Sequence, residues 1–151
     1  MLNRQAEESF DRGLAAVEER RWTEATAFFE AAVEVERRMG NRKPQARYLS
    51  YYGLCLAHSG NQRHDAISLC RQAAEIETFN PDLRLNLGRV LLQAGRKREA
   101  FKAFASGLRQ EPSHEALRQE IRRMGVRKKP VLRFLPRNNP VNILLGRLRA
   151  R

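Results

Sequence analysis

From Ala6 to Met39 the apolar and small residues recur every three or four positions: Phe10, Leu14 and Val17, then Trp22, Ala25, Phe28, Phe29, Ala32, Val33 and Val35. Recurrence at i, i+3, i+4 and i+7 gathers each set on one face of a helix that is half buried in a stack. Arg20-Arg21 separates the two runs, and Gly40-Asn41-Arg42-Lys43-Pro44 stops the second, with Gly at the helix end and Pro shortly after. The same order of run, turn and run returns from Ala46 to Asn80. Tyr48, Leu49, Tyr52, Gly53, Leu56 and Ala57 mark its first helix, Ser59 to Arg63 its turn, and Ala66, Ile67, Leu69, Cys70, Ala73, Ala74 and Ile76 its second. Pro81 to His114 is the cleanest copy: Leu85, Leu87, Gly88, Leu91 and Leu92, a turn at Gly95, then Ala100, Phe101, Phe104, Gly107 and Leu108 before a stop at Pro112.

Gly13, Gly53 and Gly88 are 40 and 35 residues apart, and Ala25, Ala66 and Ala100 are 41 and 34 apart. This is an internal repeat near 34 residues, lengthened once by the break at 40–44. A small residue at a fixed place in a helix lets the neighbouring helix axis approach. Ser113 is expected to cap a further helix reaching Met124, with Leu117, Ile121 and Met124 on one face and Gly125 after it. A stack of helix pairs needs such a partly polar helix to close its last apolar side. The expectation is therefore an all-α solenoid domain over residues 1–125, with repeats at about 6–39, 46–80 and 81–114 and a capping helix at about 114–124.

Asn86-Leu87-Gly88, Gly95, Glu99-Ala100, Phe104, Gly107 and Pro112 stand at the offsets of the tetratricopeptide repeat, and the chain from Ala6 to His114 resembles that family in three tandem copies. Arg12 stands where the first copy should have Leu, Arg20 replaces its turn Gly, and Cys70 replaces the aromatic of the second copy. The resemblance implies antiparallel helix pairs in a right-handed superhelix, whose first helices line a concave groove that binds an extended peptide. Carried over by position, that groove would show Phe10, Leu14 and Val17, then Arg47, Tyr51, Leu54 and His58, then Leu85, Asn86, Arg89 and Gln93. One variant of the family clamps the C-terminal carboxylate of heat-shock chaperones with Lys/Arg and Asn. Here Phe10, Leu14 and Asp82 hold the corresponding places, so an apolar segment with one or two polar anchors is the expected ligand.

Charge changes the picture at one end. Residues 1–36 carry nine acids against four arginines, whereas residues 121–151 carry ten Lys/Arg and no acid. The tail from Val126 to Arg151 adds prolines 130, 136 and 140, which impose extended backbone, and then Val141, Leu144, Leu145 and Leu148 at the spacing of a short helix. Its sizeable apolar residues are too many for a solvated linker. Either they are buried on the repeats or on a partner, or the tail orders on binding. Its expected contacts are Arg127, Lys128, Lys129, Arg133, Phe134, Leu135, Arg137, Leu144, Leu145 and Leu148.

Catalytic chemistry is not suggested. His58, His64 and His114 are scattered and read as surface histidines, and Cys55 and Cys70 lie in apolar-periodic runs without metal-ligand spacing, as buried free thiols do. There is no P-loop, dinucleotide fingerprint or His-Glu-x-x-His. No cofactor and no metal is expected. The N-terminal residues lack an apolar leader and no apolar run reaches membrane-span length, so the reading is cytoplasmic. These observations make the chain a non-enzymatic scaffold or adaptor that binds another protein or peptide segment in its groove, with the tail docking on the solenoid or a partner. The alternatives are a nucleic-acid-associated protein, for example on ribosomal RNA, that uses the basic tail, and peripheral association with an anionic membrane. Self-association between the acidic first repeat and the basic tail is a further reading.

Overall fold

Each helix pair closes where a glycine on its first helix meets a buried side chain on its second. The computed structural model describes residues 3–41, 44–60 and 63–125. Among them are seven helices: α1 (Arg4–Glu18), α2 (Trp22–Arg38), α3 (Ala46–Ser59), α4 (Arg63–Ile76), α5 (Pro81–Gln93), α6 (Lys97–Gln110) and α7 (Glu115–Arg123). α1 packs on α2, α3 on α4 and α5 on α6, and the pairs stack through α2 on α3, α4 on α5 and α3 on α5. This is the all-α stack of helix pairs expected from the repeat, and its pairs form one compact unit, Met1–Ile121.

The close approaches follow the repeat. A Cβ built on Gly13 would lie 2.6 Å from Phe29 Cε1, one on Gly53 would lie 2.7 Å from Cys70 Sγ, and one on Gly88 would lie 2.6 Å from Phe104 Cζ. Cys70 therefore fills the place that Phe29 and Phe104 hold in the other copies. Gly107 does the same for the terminal helix, where Leu117 Cδ1 would stand 2.6 Å from an added Cβ. Phe29, Cys70, Phe104 and Leu117 are all fully buried.

Helix ends are set locally. The Asn3 side chain accepts from the N–H groups of Gln5 at 2.9 Å and Ala6 at 3.3 Å, and Asn80 accepts from Asp82 at 3.1 Å with Pro81 opening α5. Gly60 and Gly95 leave α3 and α5 with φ of 102° and 76°. Arg20, in the first copy, takes the same left-handed region at φ 58° without being glycine. The cap expected from Ser113 is supplied one residue later: Nδ1 of His114 accepts from the Leu117 N–H at 3.3 Å, and α7 starts at Glu115. Ser113 lies in the preceding turn, and a side chain long enough to reach back over the first turn takes its role.

Candidate functional site

The first helices α1, α3 and α5, followed by α7, place their side chains in series along one face, and most of the polar ones are spent on their neighbours. Between the first two pairs, Glu7 on α1 accepts from both Arg47 and the Tyr48 hydroxyl on α3, and Gln45 Nε2 reaches it at 3.3 Å. Burial alone would raise the Glu7 carboxyl; hydrogen bonds from Tyr48, Arg47 and Gln45, together with the Arg47 charge, hold it below the usual carboxylate range instead. Glu36, a buried acid at the end of α2, accepts from the Gln45 backbone N–H at 2.7 Å and so caps the entry to α3. Arg47 also lies 5.0 Å above the Phe10 ring.

Farther along, Asn86 on α5 donates to Ser50 Oγ on α3 at 3.0 Å, and both residues are buried. The Cys70 thiol donates to the Ser50 carbonyl at 3.4 Å. Arg89 Nε donates to Glu120 Oε1 on α7 at 2.8 Å. Asp82 accepts from His114 Nε2 at 3.0 Å while Nδ1 of the same ring serves as the cap. His58 stacks on Trp22, with rings 3.9 Å apart and 8° from parallel, and accepts from the Gln93 amide at 2.9 Å. This stack joins one residue from each of the three pairs.

The groove residues named from the sequence thus divide into two groups. Phe10, Leu54, Leu85 and Asn86 are buried. Phe10 packs against Phe29, Tyr48 and Tyr51 at ring distances of 5.4, 5.1 and 5.5 Å and belongs to the core. Leu14, Val17, Arg47, Tyr51 and Arg89 are half-buried, and His58 and Gln93 are exposed. Arg47, Arg89, His58 and Gln93 all have partners within the protein. Tyr51 differs: no hydrogen bond reaches its hydroxyl among the described residues, and burial followed by the charge of Asp82 raises it above the ordinary phenol value, with Arg89 opposing. The histidines also depart from the surface reading. His64 is exposed, but His114 is only 13% exposed and links α5 to α7. The tail contacts named from Arg127 to Leu148 lie outside the described residues.

Sequence reasoning did not find Glu7, Gln45, Ser50 or Glu120. A signal existed for Glu7: it lies 40 residues before Arg47, the interval that separates Gly13 from Gly53, so the two occupy equivalent places on successive first helices. Among the described residues no three His, Cys, Asp or Glu side chains come together as metal ligands would, and no helix is long and apolar enough to cross a membrane.

The tetratricopeptide repeat family model matches residues 57–121. Over that stretch, from the end of α3 into α7, the helices are tetratricopeptide repeats. Two solved structures share the fold: the Arabidopsis OM64 tetratricopeptide domain at 21% identity and TM-score 0.65, covering 80% of this chain and 93% of that one, and the Aspergillus fumigatus Sgt2 tetratricopeptide domain at 16% identity and TM-score 0.68, covering 81% and 78%. No curated protein matches the chain. Tetratricopeptide repeats generally mediate protein–protein interactions and are typically non-catalytic.

Proposed function

We propose that this protein is an adaptor whose first-helix face receives a mainly apolar segment of a partner protein, with Tyr51 at the centre of the contact. The Tyr51 hydroxyl, without a hydrogen bond among the described residues, is the observation that carries this reading: its half-buried ring packs on Phe10 of α1, on the same helix face as Leu14 and Val17, and it feels the charges of Asp82 and Arg89 of α5. A phenol that donates and accepts suits a main-chain amide of a bound segment, and Leu14 and Val17 offer the adjoining apolar contact. Arg47, Arg89, His58 and Gln93 are already paired, so they orient the face rather than anchor the ligand. A terminal-carboxylate clamp is disfavoured because Phe10 is core and Asp82 brings a negative charge to the face.

The test is selection from a displayed peptide library, followed by binding to Tyr51→Ala and to Ala27→Tyr on the exposed side of α2. Selected segments should be apolar and lose roughly tenfold or more in affinity on Tyr51→Ala, a loss typical of a central interface aromatic, while Ala27→Tyr leaves binding unchanged. Segments indifferent to Tyr51, or a selection dominated by C-terminal acidic motifs, would refute the reading.

A further inference from the structure

The second helices differ sharply in charge. α2 carries four acids against Arg37 and Arg38, whereas α6 carries Lys97, Arg98, Lys102 and Arg109 against Glu99 alone. Glu99 is taken up by Arg96 at 2.6 Å and by Arg71 of α4 at 2.8 Å. The four α6 cations are exposed and have no carboxylate partner among the described residues. At 100° per residue, Arg98, Lys102 and Arg109 share the side opposite the buried Ala100, Ala103, Phe104 and Gly107. Phe101, one turn after Arg98, stands at the border between that stripe and the apolar face and is 49% exposed. About half of this ring is open to solvent beside Arg98, while Phe104 fills the core of the pair.

We propose that this outer face of α6 binds single-stranded nucleic acid, with Arg98, Lys102 and Arg109 on phosphates and Phe101 as a platform for one base. At 1.5 Å per residue the three cations span about 16 Å, the length of about five stacked nucleotides at ~3.4 Å each. Cations that track a backbone beside an aromatic that accepts any base are the two components of sequence-tolerant single-strand binding. The acidic first pair of a second copy is the competing occupant, but five of its nine acids are already in ion pairs: Glu7 with Arg47, Glu8 with Arg4, Glu19 and Glu24 with Arg21, and Glu34 with Arg38. Carboxylates would also leave Phe101 unused. This site is separate from the first-helix face and stands without it.

The experiment uses the full chain and a labelled oligouridylate, with anisotropy followed over a series of salt concentrations. The variant Arg98→Gln/Lys102→Gln/Arg109→Gln should lower the slope of log affinity against log salt by about 2, at ~0.7 per phosphate on a single strand. Phe101→Ala should weaken binding about tenfold with the slope unchanged. Both variants alter exposed positions, and a native circular dichroism melt confirms that they fold. Tyr51→Ala should leave oligonucleotide binding intact, so failure here is distinct from failure of the peptide-binding reading. The proposal is overturned if oligouridylate does not bind, or if the triple variant keeps the full slope, which would assign binding to other cations of the chain. It is equally overturned if the triple variant loses only anionic vesicles or self-association, or if Phe101→Ala is silent.

Discussion

Gly88 on α5 lies flat against the ring of Phe104 on α6, so close that an added Cβ would come within 2.6 Å of Phe104 Cζ. Alanine in place of a mid-helix glycine ordinarily gains about 1 kcal/mol of helix propensity. Here Phe104 is fully buried and its ring has no room to yield, so overpacking, which costs about 1–3 kcal/mol, should outweigh that gain. Gly88→Ala should therefore lower the urea midpoint. Gly88→Ala/Phe104→Leu should lose less than the two single losses together, because the smaller side chain relieves the clash. A Gly88→Ala protein more stable than the parent would show that the contact does not limit the pair.

The same contact explains how much was legible in the sequence. Small residues at 13, 53 and 88 and their partners at 29, 70 and 104 recur because every pair solves one packing problem, so a period could be read without coordinates. Even Cys70, a departure from the motif, is legible afterwards as a smaller occupant of the same place. The face was harder to read. Arg47, Asn86 and Arg89 look like ligand anchors by position, but each is satisfied from a neighbouring helix, by Glu7 on α1, Ser50 on α3 or Glu120 on α7, a pairing fixed by how the helices stack. The Trp22–His58 stack joins residues 36 apart and has no local pattern to announce it. His114 displaced Ser113 as a cap because its ring also had Asp82 to reach, which chain-local capping rules do not weigh.

Arg20 occupies the left-handed region at φ 58°, where Gly60 and Gly95 leave the other first helices. A residue with a Cβ pays about 1–2 kcal/mol for that conformation. Arg20 is exposed and its charge joins no ion pair among the described residues, so little is lost on removing the side chain. Arg20→Gly should therefore stabilise the chain by roughly 1 kcal/mol, less the greater backbone freedom of glycine in the unfolded state. Thermal melts of the two proteins decide it: an unchanged or lower midpoint would mean that the Arg20 backbone is not strained.

Cys55 and Cys70 should be unreactive until the chain opens. Burial pushes the Cys55 thiol up to about 12, and burial followed by the neighbouring Cys55 raises Cys70 as well. The thiolate is the nucleophile, so at mildly alkaline pH almost none is present in the folded protein. A disulfide reagent should modify neither cysteine quickly in buffer and both in concentrated guanidinium, with the native rate following the opening equilibrium as denaturant is added. Rapid native modification of either thiol would contradict the burial.

Trp22 is the only tryptophan and lies in parallel contact with His58, so its fluorescence reports the protonation of that ring. Burial and then the Arg89 charge lower the His58 pKa from 6.5. Its Nε2 accepts from Gln93 only while neutral. Because the folded value lies below the unfolded one, the unfolded chain binds the proton more readily. The contribution of the stack is complete above the unfolded value, about 6.5, and is lost as pH falls through that value toward the lower folded one. Emission from Trp22 should accordingly titrate with a midpoint below 6.5 and lose intensity as the imidazolium forms. The urea midpoint should decline over the same interval. His58→Phe keeps an aromatic ring on Trp22 without the proton, so both changes should vanish in that variant while the other titrations of the chain persist. A midpoint above 6.5, or an emission titration that survives His58→Phe, would mean that the stack does not sense this proton.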